Sequence, residues 1–251
     1  MTSLQGRVIL VTGASAGIGF ATARLLAERG ATVIGCARNI QTLQELGEKS
    51  AKGRGQLFPM KADLSKEEDI VQLFKEIGKK FGKLDVLINN AGMAGKATLL
   101  EGDSQDYRNI FDLNVLGLTL ATREAVKLME AGGSGHIINL NSILGHAVPN
   151  GPTLHFYTGT KHMITALTEA LRKTVQSKNI KVTSLSPGIV ATEITQRAFG
   201  LTPAEAFAST ATPYKVLDSE DVAEAIVYIL SVPAHVNIDE LTLTPQGQHA
   251  L

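Results

Sequence analysis

"VTGASAGIGFATARLLAERG", residues 11–30, is the stretch whose reading decides the fold. An apolar run ends at Thr12, a glycine turn follows, and apolar residues then recur at helical spacing. Gly13, Gly17 and Gly19 are spaced G-x-x-x-G-x-G, not the G-x-G-x-x-G of the general dinucleotide fingerprint. The physics is shared. Small residues let backbone N–H groups approach a pyrophosphate, and a helix N-terminus favours negative charge. The same glycines also suit a plain tight turn, so the decision rests on what surrounds them.

Outward from that turn, apolar runs of strand length alternate with amphipathic helical segments. The runs are RVILVT (7–12), TVIGCA (32–37), QLFPMKA (56–62), LDVLINN (84–90), GHIINLN (135–141), IKVTSLS (180–186) and ELTLT (240–244). Helical spacing marks the segments between them; in residues 67–81, Ile70, Leu73, Phe74 and Ile77 form one stripe. Strands apolar on both sides, alternating with helices, predict a parallel sheet covered on both faces. Right-handed crossovers make it an α/β, doubly wound, Rossmann-type arrangement with a seven-stranded parallel sheet. No repeat, charge block or proline-rich linker interrupts the chain, so residues 1–251 read as a single domain. The cofactor-binding part spans about 5–135 and the catalytic and substrate part about 136–251. Residues 191–213 break the alternation and read as a flap.

The bulk composition fits this. Apolar residues make up 44% and charged residues 19%, and Lys plus Arg equals Asp plus Glu at 24 each. A neutral chain gives no electrostatic case for nucleic acid or an anionic membrane. The single cysteine, Cys36, cannot form an internal disulfide, and no apolar run approaches membrane-spanning length. The expectation is a cytoplasmic protein without an integral membrane segment. His146, His155 and His162 form no ligand pattern with a carboxylate or cysteine, so no metal is expected.

Two further stretches carry chemistry. The second strand ends "GCARN" (35–39), with Ala37 where an NAD-binding strand usually carries an acid for the ribose hydroxyl. Without that carboxylate, and with Arg38 beside the gap, a 2′-phosphate is favoured and NADP is expected over NAD. The alternative is a surface arginine. "HFYTGTKHMITALTEALRK" (155–173) begins a helix with Tyr157 and Lys161 one turn apart on one face. That pair could be surface, since a Tyr stem packs and a Lys snorkels. It could also be a proton donor with its electrostatic partner. An ordinary tyrosine titrates near ~10. A lysine charge roughly 5 Å away, at effective dielectric ~20, favours phenolate by about 3 kcal/mol, or about two pKa units. The expectation is a Tyr157 tuned toward neutral pH. Ser142 falls at the carboxyl end of a strand, where such sheets bind ligands; it could donate to a substrate oxygen or merely close a turn.

Taken together these stretches resemble the short-chain dehydrogenase/reductase family. TGASAGIG (12–19), NNAG (89–92), FDLNVLG (111–117), NSILG (141–145), YTGTK (157–161) and SPGIVATE (186–193) occur in that family's order and span nearly the whole chain. The resemblance implies catalytic roles for Tyr157, Lys161, Ser142 and Asn114, with Asn114 supporting a water that leads to the lysine. It implies cofactor contacts at Gly13, Ser15, Gly17, Ile18, Gly19, Arg38, Asn39, Asp63, Leu64, Asn90, Ala91 and Gly92. Tyr157 and Lys161 join them, Lys161 holding the nicotinamide ribose, as do Pro187, Gly188, Ile189 and Thr192 near the nicotinamide amide. Asp63 also reads as a helix cap. The family usually associates through the helices carrying Asn114 and Tyr157, so a homodimer or homotetramer is expected.

Two departures bear on substrate. Ser142 and Tyr157 lie 15 residues apart, about two more than is common in the family, and the C-terminal LTLTPQGQHAL lacks its familiar glycine-rich segment. HAVPNGPTLHF (146–156) and ITQRAFGLTPAEAFAST (194–210) are apolar and sparsely charged. They suit a small hydrophobic carbonyl or alcohol, such as a ketosteroid or an isoprenoid. The rivals are a 3-oxoacyl thioester reductase, for which only Arg197 and Lys215 offer positive charge near the flap, and a non-enzymatic cofactor-binding regulatory protein.

Overall fold

A computed structural model describes residues 3–50, 54–95, 98–150, 154–194 and 214–248. Of the expected flap, residues 195–213 lie outside the described residues. Seven strands form one parallel sheet in the order β3-β2-β1-β4-β5-β6-β7. They are β1 Val8–Thr12, β2 Thr32–Ala37, β3 Gln56–Lys61, β4 Val86–Asn89, β5 Gly135–Leu140, β6 Ile180–Pro187 and β7 Glu240–Leu243. Each lies within a run expected from the sequence, apart from Pro187, which extends β6 by one residue. The strand order reverses between β1 and β4, which opens a crevice at their carboxyl ends.

The pleat divides each strand between two cores. Ile9 and Val11 of β1, with Val86 and Ile88 of β4, enter one layer; Val8, Leu10 and Leu87 enter the other. The first layer is closed by α1 (Gly17–Glu28), α2 (Gln41–Ser50) and α7 (Ser219–Ser231), through Leu26, Leu43 and Ile226. The second is closed chiefly by α3 (Glu67–Phe81) and α5 (Leu118–Gly132). Ile70, Leu73, Phe74 and Ile77 of α3 are all buried, as their spacing predicts. Burying each such side chain contributes about 1.5–3 kcal/mol relative to exposure. Helix ends follow their chemistry. α3 opens on Glu67, Glu68 and Asp69, closes on Lys79 and Lys80, and stops at Gly82 in the left-handed region (φ 71°). Asp218 and Asp221 form a reciprocal capping box at the start of α7.

The helical segment expected between the fourth and fifth strands is not one uniform α-helix. The segment is α4 (Ser104–Phe111), a π-helical turn over Asp112–Gly117, and then α5. The wider turn lets the backbone pass close to a neighbour: a Cβ on Gly117 would stand 2.3 Å from the Leu64 carbonyl oxygen. Among the described residues, no helix is long and apolar enough to cross a membrane.

His136 of β5 is 1% exposed; its Nε2 pairs with Thr183 Oγ1 at 2.9 Å and its Nδ1 is buried without a partner. Burial first, then the Lys181 and Arg7 charges, push its pKa down from 6.5 to about 3. Between those values the unfolded chain binds a proton that the folded chain refuses. Stability therefore falls as pH drops through that window, by up to about 1.4 kcal/mol per pH unit. Urea unfolding of His136→Gln at neutral pH and near about pH 5 checks this: the loss on acidification should be smaller than in wild type. Equal losses would mean that His136 does not carry the effect.

Candidate active site

The glycine turn is built from both sides of the crevice. Gly13 (φ 63°) and Gly17 (φ 53°) adopt left-handed conformations, and a Cβ on Gly13 would stand 2.8 Å from Ala91 Cα. Gly19 is excluded from carrying a side chain by the Gly13 carbonyl, 2.3 Å from where its Cβ would stand. Asn90 locks the turn in place. Its Nδ2 donates to the carbonyls of Thr12 (2.8 Å) and Gly13 (3.2 Å). Thr12 completes the lock: its hydroxyl accepts from the N–H groups of Asn90 (2.9 Å) and Ala91 (3.0 Å) and donates to the Ile88 carbonyl (3.2 Å). Sequence reading missed Thr12, although a hydroxyl at the end of a strand beside a glycine turn was the available signal.

A groove opens above this turn. It is lined by Gly13, Ser15, Gly17, Ile18, Arg38, Asp63, Leu64, Asn90, Ala91, Gly92 and Thr192, all expected from the sequence. Cys36, Met93, Leu113, Glu193 and Ile194 also line it and were not expected. The start of α1 faces it with no side-chain cap at Ala16 and no acid in its first turn, so its leading N–H groups are open to an anion. Positive-φ glycines and an uncapped helix start fit the pyrophosphate of a dinucleotide. At the far end, Ala37 is buried, while Arg38 is exposed and hydrogen-bonded to no described residue. Asp63 accepts from the Ser65 N–H (3.1 Å) and hydroxyl (2.8 Å). Burial alone would raise its pKa, but the Ser65 bonds and the Arg38 and Lys66 charges outweigh that and hold it low. Asp63 therefore stabilises a turn before α3; the helix N-cap itself is Lys66. Asn39 turns away from the groove lining to accept from the Gln41 N–H (3.1 Å) at the start of α2.

Ser142, Tyr157 and Lys161 come together where β5 ends and α6 (His155–Thr174) begins. The Ser142 side chain lies close enough to the Tyr157 hydroxyl to act on its pKa. Ser142 closes a turn, its Oγ accepting from the Leu144 N–H at 3.1 Å, which is the turn-closing reading of that serine. Lys161 is 7% exposed; its Nζ donates to the Leu140 carbonyl at 2.7 Å and stands 5.5 Å from the Tyr157 ring centroid. The lysine sits at the distance expected, but the electrostatic expectation fails in the cofactor-free protein. Burial pushes Tyr157 above the ordinary tyrosine value, with the Ser142 side chain acting the other way. Burial also lowers Lys161 to about 7. A desolvated lysine that is partly neutral at pH 7 does not supply the full charge on which that expectation rested.

Asn114, in the π turn, is 1% exposed and clasps the backbone of one residue of the groove wall. Its Oδ1 accepts from the Met93 N–H (2.8 Å), and its Nδ2 donates to the Met93 carbonyl (2.9 Å) and to Thr160 Oγ1 (3.2 Å). Its side chain thus ties the groove to α6 and does not reach Lys161 Nζ directly. Pro187, Gly188 and Ile189 leave the end of β6 and are met by Gln248, whose Oε1 accepts from the Ile189 N–H at 3.1 Å. A Cβ on Gly188 would stand 2.2 Å from that oxygen. The contact with Gln248 was invisible in the sequence, because the two segments lie 59 residues apart.

A doubly wound sheet with a glycine-turn groove at its switch point, and a Ser–Tyr–Lys cluster beside it, defines a nucleotide-dependent oxidoreductase class. The chain belongs to the short-chain dehydrogenase family, whose description matches residues 7–200. It is 43% identical to mouse dehydrogenase/reductase SDR family member 11 over 99% of this chain and 97% of that protein. It is 41% identical to the farnesol dehydrogenase of Aedes aegypti, over 99% of each. Among solved structures, the closed form of a serine dehydrogenase complexed with NADP+ superposes with a TM-score of 0.88 at 30% identity, covering 96% of both chains.

The raised Tyr157 pKa is directly measurable. In the cofactor-free protein, the difference in ultraviolet phenolate absorbance between wild type and Tyr157→Phe should show no ionisation of this residue by pH 10, the ordinary tyrosine value. A phenolate signal near neutral pH would restore the tuning expected from the sequence.

Proposed function

We propose that the protein is an NADP(H)-dependent alcohol dehydrogenase or carbonyl reductase acting on a small hydrophobic substrate, such as a ketosteroid or an isoprenoid alcohol or aldehyde. The observation that carries this reading is the gathering of Ser142 and Lys161 at Tyr157, with Lys161 Nζ 5.5 Å from the phenol ring, since a pure binding protein has no need of a phenol placed between a hydroxyl and a buried lysine. The nicotinamide dinucleotide, when bound, supplies or accepts the hydride. Ser142 donates to the substrate oxygen and holds it against Tyr157. Tyr157, kept protonated by burial, gives its proton to that oxygen in the reductive direction and recovers it in the oxidative one. Lys161 orients the site through Leu140 and contributes positive charge to the extent that it is protonated. At the other end of the groove, Arg38 meets the 2′-phosphate that the missing acid at Ala37 admits.

Apolar surroundings support the substrate class. Val148, Leu99 and Leu100 are exposed at 63%, 58% and 96%. The 98–102 loop is held to α4 by the Tyr107 hydroxyl on the Thr98 carbonyl, and the Tyr107 ring packs on Phe156 at 4.7 Å, next to Tyr157. The thioester reading is less favoured, because Lys215 is already paired with Asp218 at 2.7 Å; Arg197, the other cation named for it, lies outside the described residues. Exposed Leu116 and Met163 support association of copies through the π turn and α6. A cytoplasmic location accords with a single buried, free cysteine.

Following nicotinamide absorbance with steroid, isoprenoid and dicarbonyl substrates, each with NADPH and NADH, tests the proposal. Turnover of none of them would sink the substrate class. Tyr157→Phe should lower turnover by about 10² or more with NADPH binding nearly unchanged, the usual scale of general acid–base effects. Comparable turnover would remove Tyr157 from its role. The cofactor claim has its own variant. A charge-assisted contact worth roughly 1.5–3 kcal/mol corresponds to about ten- to a hundredfold preference for NADPH. Ala37→Asp with Arg38→Leu should move preference toward NADH through KM, with smaller changes in kcat. Equal use of both cofactors by wild type would reduce Arg38 to a surface residue.

A further inference from the structure

Thr165 lies one helical turn beyond Lys161 on α6 and was given no role by its sequence context. Its Oγ1 accepts from Asn141 Nδ2 at 2.8 Å and donates toward the Gly145 carbonyl at 2.9 Å and the Lys161 carbonyl at 3.2 Å. A mid-helix threonine bonded only to the carbonyl four residues back is commonplace. Here the shorter donor contact leaves the helix, and a second cross-segment bond arrives at the same oxygen. The two residues it holds, Asn141 and Gly145, bracket Ser142.

The bracketed turn closes on itself, with the Gly145 N–H on the Ser142 carbonyl at 2.8 Å and the Leu144 N–H on Ser142 Oγ at 3.1 Å. Those bonds fix its shape but not its position against α6. That position is tight: a Cβ on Gly145 would stand 2.7 Å from both amide atoms of Asn141 and 2.9 Å from the Lys161 carbonyl oxygen. Asn141 is 5% exposed, and its Oδ1 is buried without a partner, so Thr165 supplies its side chain's bond to the helix.

We infer that Thr165 is a positioning residue, a pin that sets the Ser142 turn against the helix turn carrying Tyr157 and Lys161. The inference rests on the proposed roles of Ser142 and Tyr157. Removing the pin leaves the reacting groups present but lets their spacing drift, and small misplacements of such groups cost rate steeply.

Thr165→Val keeps the shape and removes the hydroxyl; Thr165→Ser restores it. In amide hydrogen exchange without any ligand, Leu144 and Gly145 should exchange faster in Thr165→Val, by about tenfold or more, and return toward wild type in Thr165→Ser. With NADPH and the carbonyl turned over fastest in the substrate panel, Thr165→Val should lower kcat by about tenfold or more while the KM for NADPH stays put. Unchanged exchange, unchanged kcat, or a serine variant as damaged as the valine one overturns the inference. If Thr165→Val does not fold, Asn141→Ser carries the test, because it removes the bond to Thr165 from the other side. Faster exchange at Leu144 and Gly145 in that variant supports the pin, and wild-type exchange sinks it. Ser142→Ala and Tyr157→Phe in the same assay separate the two failures. If they keep turnover, the assignment of the site falls; if they lose it while Thr165→Val does not, only the pin falls.

Discussion

The bond from Lys161 Nζ to the Leu140 carbonyl, 2.7 Å long and buried, is the contact around which the site is organised. It is one rung of a polar lacing between α6 and the end of β5. Asn139 reaches Thr168 at 2.8 Å, and Asn141, just past the strand, reaches Thr165 at 2.8 Å. The buried face of α6 is correspondingly polar, with Thr158, Thr160, Lys161 and Thr168 beside a single apolar Ile164. Apolar packing is non-directional and tolerates sliding by a fraction of a residue. Hydrogen bonds lose most of their strength when distance and angle drift, and a buried polar group left unpaired costs about 1–3 kcal/mol. The lacing therefore fixes where Tyr157 stands relative to Ser142 better than an oily face would.

The nucleotide half depends on a matching device. Thr12 and Asn90 tie the end of β1 to the end of β4 across the switch point and hold the glycine turn between them. Asn114 joins the halves, since it clasps Met93 in the groove wall and bonds Thr160 on α6. A run of amides and hydroxyls thus links the glycine turn to the helix that carries Tyr157. Each member satisfies another, which makes such a network rigid and makes any single deletion expensive.

How much of this was legible follows from where the information lies. The seven strands and the α3 stripe were readable because period and polarity are local properties of the chain. The glycine turn, Tyr157 and Lys161 were readable because their spacing is short. The π turn was not, because the close approach that accompanies it, Gly117 against the Leu64 carbonyl, joins residues more than 50 apart in sequence. Gln248 against Ile189, and Thr165 between Asn141 and Gly145, were hidden for the same reason. The tuning of Tyr157 was misread for a different one. A Coulomb estimate from residue types assumes both charges are present, whereas burial first decides whether they form at all.

That distinction separates the two ends of the groove. Arg38 is exposed, and the attraction of an exposed guanidinium for a phosphate weakens as salt is added. Lys161 is buried, so salt screens it poorly, but its charge is conditional on pH near about 7. An exposed, permanent charge suits recognition, where a phosphate must be found from solution and released again. A buried, conditional charge suits proton chemistry, because any further positive charge brought beside Tyr157 favours the phenolate and simultaneously favours the neutral lysine. The two groups then titrate as one system rather than as a tyrosine tuned by a fixed neighbour.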